Sequence, residues 1–248
     1  MAVTKKNLLK DVIKHIDITK INSLDIIDSM RDMSFSSRDT ARAADILQMM
    51  IKDKDCTNWL TMAGSSSAGG CMQVYVDMVR FNMIDCIVST GASVIDMDFF
   101  EALGYKHYKG TPFVDDGRLR SVYIDRIYDT YIDEEELQHC DATIKTIADS
   151  LEPRPYSSRE FLWETGKWLV KNSVKKESLL QTCYEHGVPV FVPAFSDCSA
   201  GFGLVMHQQE RIRAGKPYVT IDSVADFREL TEIKIKAKTS GLFMIGGG

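Results

Sequence analysis

Four apolar runs in this chain each end in a cluster of small or acidic residues, and that repeated pattern restricts the fold more than any other feature. Asn58-Trp59-Leu60-Thr61-Met62 breaks into Ala63-Gly64-Ser65-Ser66-Ser67-Ala68-Gly69-Gly70, and Asp85-Cys86-Ile87-Val88-Ser89-Thr90 into Gly91-Ala92-Ser93. Val188-Pro189-Val190-Phe191-Val192 opens into Pro193-Ala194-Phe195-Ser196-Asp197-Cys198-Ser199-Ala200-Gly201, and Leu242-Phe243-Met244-Ile245 into Gly246-Gly247-Gly248. Between them the apolar period becomes helical: Met72, Val76, Val79 and Met83 form one stripe, and helices are predicted around 96–103, 178–186 and 223–238. Strand, small-residue loop and helix in alternation predict parallel βαβ units: an α/β fold with a mostly parallel sheet flanked by helices.

The flanking regions read differently. Leu8, Leu9, Val12, Ile13 and Ile16 fall at helical spacing, as do Ala43, Ala44, Leu47, Met50 and Ile51, so residues 1–55 are expected to form a helical extension. Residues 104–133 are polar and aromatic and read as a long excursion. A helix is predicted over 134–151, and Ser157-Ser158-Arg159-Glu160 is a capping box opening another. A fifth strand is expected at Tyr218-Val219-Thr220-Ile221-Asp222. No linker divides the chain, which predicts one domain over 1–248.

Composition excludes several function classes. At 248 residues with 44% hydrophobic and 26% charged, the chain can bury a substantial core. A net charge of -5 without a basic stripe argues against nucleic acid. No apolar run approaches the roughly 18 residues of a membrane span, and no signal-peptide core is present, so a cytoplasmic location is expected. The six cysteines form no CxxC pair and read as buried thiols; with five dispersed histidines they predict no metal site.

In open parallel sheets the ligand binds at the carboxyl ends of the strands, where small residues admit phosphates and helix N-termini supply N–H donors. Four such loops favour a nucleotide-type site over bare turns. The first is neither a P-loop nor GxGxxG. Asp96, placed at the opening of its helix, can be a ligand contact or a dipole-stabilised helix charge, and both readings stay open. Asp197, in a polar loop, reads as a ligand contact. Asp115-Asp116 and Glu134-Glu135-Glu136 read as solvated runs, and His107, His139 and His207 as structural.

Residues 35–51, Asn82-Met83-Ile84-Asp85, Pro193-Ala194-Phe195-Ser196-Asp197 and the stretch from Thr239 to Gly248 resemble the deoxyhypusine synthase family in order and spacing, closest to its bacterial deoxyhypusine-synthase-like branch. The resemblance covers nearly the whole chain. It implies a Rossmann-like fold, NAD as cofactor, and a tetramer with shared sites. In the family reaction spermidine is oxidised with NAD, and its aminobutyl group passes through an imine on an enzyme lysine to a protein lysine. Some relatives use a small diamine acceptor and make homospermidine.

By position, the resemblance places cofactor contacts at Gly64, Ser65, Ser66, Ser67 and Ala68, at Thr90, Gly91 and Ala92, and at Asp197. Asp96 would contact both cofactor and polyamine substrate. Gly64-Ser65 replaces the family's Ser-Asn, Ile95-Asp96 its paired glutamates, and Phe202 an acid that grips the amine, which implies a shorter or differently seated amine. The family's histidine and catalytic lysine follow the triple glycine. The resemblance therefore implies a form without the catalytic lysine segment, inactive alone, or a non-catalytic partner subunit of a full-length paralogue in a hetero-oligomer.

Overall fold

The computed structural model describes residues 4–246. In chain order its strands are β1 (Cys56–Met62), β2 (Cys86–Ser89), β3 (Tyr108–Lys109), β4 (Ile124–Ile127), β5 (Thr130–Asp133), β6 (Pro155–Tyr156), β7 (Val190–Phe191), β8 (Thr220–Ile221) and β9 (Thr239–Ile245). The four predicted runs form one parallel sheet in the order β7-β2-β1-β9. Met62 is level with Ser89 and with Ile245, so three of the small-residue loops leave the sheet at one height. The α/β, Rossmann-like reading holds.

Alternation fixes what each strand residue does. Asn58, Leu60 and Met62 are buried on one face. Helix Phe35–Lys52 lies over part of that face: Asn58 Nδ2 donates to the Met50 carbonyl, and the Met50 side chain fills the space a Cβ at Gly241 would need. The opposite face, with Trp59, Val88 and Leu242, forms an open apolar groove with Phe227, Leu230 and Ile235 of helix Ser223–Lys236. The main core gathers helices Met72–Arg80, Glu134–Ser150, Ser158–Asn172 and Leu179–His186 around the fully buried Leu60, Ile87, Phe99, Phe161 and Ile144.

Local signals set the helix ends. The Ser157–Glu160 capping box is present in both directions, and Gly187 closes helix Leu179–His186 in the left-handed conformation (φ 75°). Buried aspartates cap helices from a distance. Asp98 accepts N–H bonds from Leu179 and Leu180, and Asp226 from Ser158.

One expectation needs correction, and two are filled in. Residues 9–17 are not helical: Val12 bridges Tyr108, and Ile13 N–H donates to the His107 carbonyl at 2.8 Å. Their apolar residues pack on the excursion as an extended strap, so helical spacing was coincidental there; helices in the first 55 described positions are confined to Lys5–Leu8, Ile18–Lys20, Leu24–Met30 and Phe35–Lys52. The excursion itself carries an antiparallel sheet, β3-β5-β4. Finally, β8 pairs with β6 in a separate two-stranded sheet instead of joining the main one. His207 holds that pairing: its Nε2 accepts the Val219 N–H, which leaves Nδ1 to donate to Asp149.

Candidate functional site

The loops after β1, β2 and β9 are tied to each other at the carboxyl edge of the sheet. Ala63 N–H donates to the Ile245 carbonyl at 2.9 Å, and Thr90 N–H to the Met62 carbonyl at 3.2 Å. Ser93 Oγ donates to the Gly64 carbonyl at 2.9 Å and meets Thr90 Oγ1 at 3.2 Å. Gly246 (φ 73°) must be glycine because a Cβ would lie 2.4 Å from the Ala63 carbonyl oxygen. Gly247 and Gly248 lie outside the described residues. The loop after β7 joins through Cys198, whose Sγ would sit 2.3 Å from a Cβ on Gly91.

The first loop presents mainly backbone. Gly64 adopts φ 75° with nothing within 4 Å of its missing Cβ, and it is exposed. Ser65 and Ser66 are half-buried, and Ser66 Oγ is bonded to Tyr75 OH at 2.7 Å. Ser67 and Ala68 are each 1% exposed, and the Ser67 hydroxyl is turned inward to Met97 Sδ at 2.7 Å. A wide turn follows, with Cys71 N–H bonded to the Ser66 carbonyl. It ends at Gly70 (φ 105°), whose carbonyl accepts the Ile16 N–H of the strap at 2.9 Å. In the second loop Thr90 is exposed, while Gly91 is buried and Ala92 half-buried.

Asp96 does not open its helix. The helix starts at Ala92 in wide, five-residue turns and continues to Ala102, so Asp96 sits in its second turn. Its Oδ1 instead accepts the Ser199 N–H at 2.9 Å, at the N-terminus of helix Ser199–Arg213. The dipole it senses is thus that of another helix. Burial pushes the Asp96 carboxyl up to about 6, with Asp141 and Asp197 adding repulsion and the Ser199 N–H pulling the other way. Asp197 is exposed on the same loop. Burial raises the Cys198 thiol to about 12, so it stays protonated and is no nucleophile. Ser93 and Ser199 lie in the strand-end clusters read from the sequence but were given no role there, and Asp141, an acid beside the apolar stripe of Leu137, Cys140, Ile144 and Ile147, was missed.

The family model for deoxyhypusine synthase matches residues 25–248. The chain belongs to the deoxyhypusine synthase family. A deoxyhypusine synthase-like protein of Caulobacter vibrioides is 66% identical over 245 residues, covering 98% of this chain and 67% of its own length. One from Coxiella burnetii is 59% identical over 249 residues, covering 100% of this chain and 70% of that protein. A probable deoxyhypusine synthase 2 of Methanosarcina mazei is 35% identical across 94% of this chain and 66% of its own length. A solved structure of a deoxyhypusine synthase candidate from Entamoeba histolytica shares the fold, with a TM-score of 0.67 over 95% of this chain and 79% of that one, at 17% identity.

The edge that carries these loops presents groups of the kind that phosphates and ribose need. The open space at Gly64, the exposed Thr90 and the exposed Asp197 leave room and polar partners on one rim. Among the described residues no cluster of His, Cys, Asp and Glu suits a metal ion, and no helix is long and apolar enough to cross a membrane.

Proposed function

We propose that this chain holds NAD at the carboxyl edge of its parallel sheet and seats a polyamine or diamine against it, as part of an NAD-dependent aminobutyl transferase. The observation that carries this reading is the joining of the loops after β1, β2 and β9 around Gly64, with Asp96 and Asp197 beside them. NAD, when bound, supplies the hydride acceptor. The chain's own residues bind and orient. The first loop offers the exposed backbone of Gly64 and the half-buried Ser65 and Ser66, and Thr90 and Asp197 offer hydroxyl and carboxylate partners to ribose. Asp96, once ionised, holds an amine through a charge-assisted hydrogen bond.

No lysine and no histidine occurs in the loops 63–71, 90–99 and 193–203. Lys234 bonds Ser240 Oγ at 3.0 Å and Lys238 pairs with Asp55 at 2.8 Å, both at the opposite end of the sheet. An imine-forming lysine would stand outside these loops. This favours, as a second reading, a subunit that completes its site with a paralogue.

Calorimetry of NAD with the 248-residue chain tests the proposal. Binding is expected, weakened about tenfold in Asp197→Ala, as for loss of one charged hydrogen bond of about 1.5 kcal/mol. Spermidine, putrescine and agmatine are expected to bind without forming NADH. Failure to bind NAD, or an unaffected Asp197→Ala variant, refutes the proposed site.

A further inference from the structure

The first loop is held at its start, middle and end from one side of one helix. Ser93, Met97 and Glu101 stand four residues apart along the helix that runs from Ala92 to Ala102, so they share a side. Ser93 Oγ donates to the Gly64 carbonyl at the start of the loop, and the Ser67 hydroxyl donates to Met97 Sδ in its middle. The end of the loop, Gly70, is reached through the strap. Glu101, which also bonds His107 and Lys175, lies 2.7 Å through Oε2 and 3.0 Å through Oε1 from His15 Nε2. An ionised carboxylate only accepts, so Nε2 carries the proton. The next residue, Ile16, donates its N–H to the Gly70 carbonyl at 2.9 Å. Gly70 has left helical geometry (φ 105°, ψ 7°), and the Lys14 carbonyl oxygen would lie 3.0 Å from a Cβ there, so the strap crosses directly over it.

We propose that His15 is a positioning residue for the first loop: it anchors the strap to Glu101 on the helix of the second loop, and Ile16 N–H then fixes Gly70. The inference rests on the reading of this loop as a cofactor contact. Gly69 N–H donates to the Ser65 carbonyl at 3.0 Å and Cys71 N–H to the Ser66 carbonyl at 3.1 Å. These two bonds flank Gly70, so freeing its carbonyl loosens Ser65 and Ser66, which the proposed site uses. Removing the His15 bond frees only the end of the strap. Farther back, Ile13 N–H still donates to the His107 carbonyl and Lys109 N–H to the Asp11 carbonyl. His15 Nδ1 has no hydrogen-bond partner among the described residues, so Nε2 alone ties the ring to Glu101.

Amide hydrogen exchange and NAD calorimetry on the 248-residue chain test this with two variants of similar size. His15→Gln keeps an N–H donor within reach of Glu101, and His15→Met removes it. In His15→Met, exchange at the Ile16, Gly69 and Cys71 amides is expected to speed up about tenfold, as for loss of one hydrogen bond to a charged group, while Ile13 and Lys109 stay slow. NAD affinity is expected to fall about threefold or more in the same variant. His15→Gln should restore both readouts. A packing role would make the two variants behave alike. If His15→Met does not fold, Ile16→Pro removes the N–H that meets Gly70, and the same rise is expected at Gly69 and Cys71. Unchanged exchange at those two amides, or equal exchange in the glutamine and methionine variants, overturns the inference whether or not NAD binds. Faster exchange with NAD affinity equal to that of the parent overturns it as well. Faster exchange in a chain whose parent binds no NAD sinks the proposed function and leaves the link from His15 to the loop standing.

Discussion

Replacing Gly91 with alanine sets two physical effects against each other. Gly91 has φ -60° and ψ -36° at the start of a helix, so its backbone is one that alanine prefers. Local propensity alone predicts a gain of about 0.4–1 kcal/mol. Tertiary packing predicts the opposite. The new Cβ would stand 2.3 Å from Cys198 Sγ and 2.6 Å from Cys198 Cβ, while its next neighbour, Val192 Cγ1, is at an ordinary 3.7 Å. Overpacking of this kind costs about 1–3 kcal/mol. The net expectation is destabilisation of about 1–2 kcal/mol, or a fall in Tm of about 2–8 °C for a chain of this size.

Urea and thermal denaturation of Gly91→Ala, Cys198→Ala and Cys198→Gly, and of Gly91→Ala combined with each cysteine variant, isolate the contact. Cys198→Ala removes only Sγ and should rescue Gly91→Ala in part. Cys198→Gly removes both clashing atoms and should rescue it more fully, with a coupling of about 1 kcal/mol or more. A Gly91→Ala chain as stable as the parent, or a coupling within about 0.5 kcal/mol of zero, would refute the claim that Cys198 fixes this position.

Two further outcomes concern the strap over residues 9–17. Glu101 is buried, which by itself would raise its carboxyl, but hydrogen bonds from His107 and His15 and the charge of Lys175 hold it well below the ordinary 4.5. A depressed carboxyl gives stability that is complete above pH 4.5 and lost as the pH falls further. Glu101→Gln should therefore flatten the acid limb of stability against pH and cost about 2–4 kcal/mol at neutral pH; an unchanged limb refutes the assignment. Gly70→Ala places a Cβ at φ 105° and 3.0 Å from the Lys14 carbonyl oxygen. It should cost about 1–2 kcal/mol and speed hydrogen exchange at the Ile16 amide, and unchanged exchange there would show that the strap does not depend on Gly70.

The main sheet was legible because buried parallel strands have an unambiguous chemistry. Leu60, Ile87 and Phe191 lie in apolar runs with small-residue exits, and few other structures give that pattern. The strap was not legible: Leu8, Leu9, Val12, Ile13 and Ile16 fit a helical stripe equally well, and the bonds that keep Val12, Ile13 and Ile16 extended come from Tyr108, His107 and Gly70, distant in the chain. The fifth strand was legible but its partner was not, for a related reason. Thr220 and Ile221 do form a strand, but a strand's propensity carries no information about its partner, which is Pro155–Tyr156.

The acids show the same division within the site. Asp96 and Asp98 are two residues apart on one helix, and both are pushed up to about 6 by burial. Asp98 spends its oxygens on Leu179 and Leu180 N–H groups, whereas Asp96 meets Ser199 beside Asp141 at the rim of the sheet. The sequence by itself determined the α/β class, the four strand-end loops and the family. Tertiary structure decided which loops lock together and which backbone N–H groups each carboxylate meets, because those outcomes depend on burial and on hydrogen bonds between residues far apart in the chain.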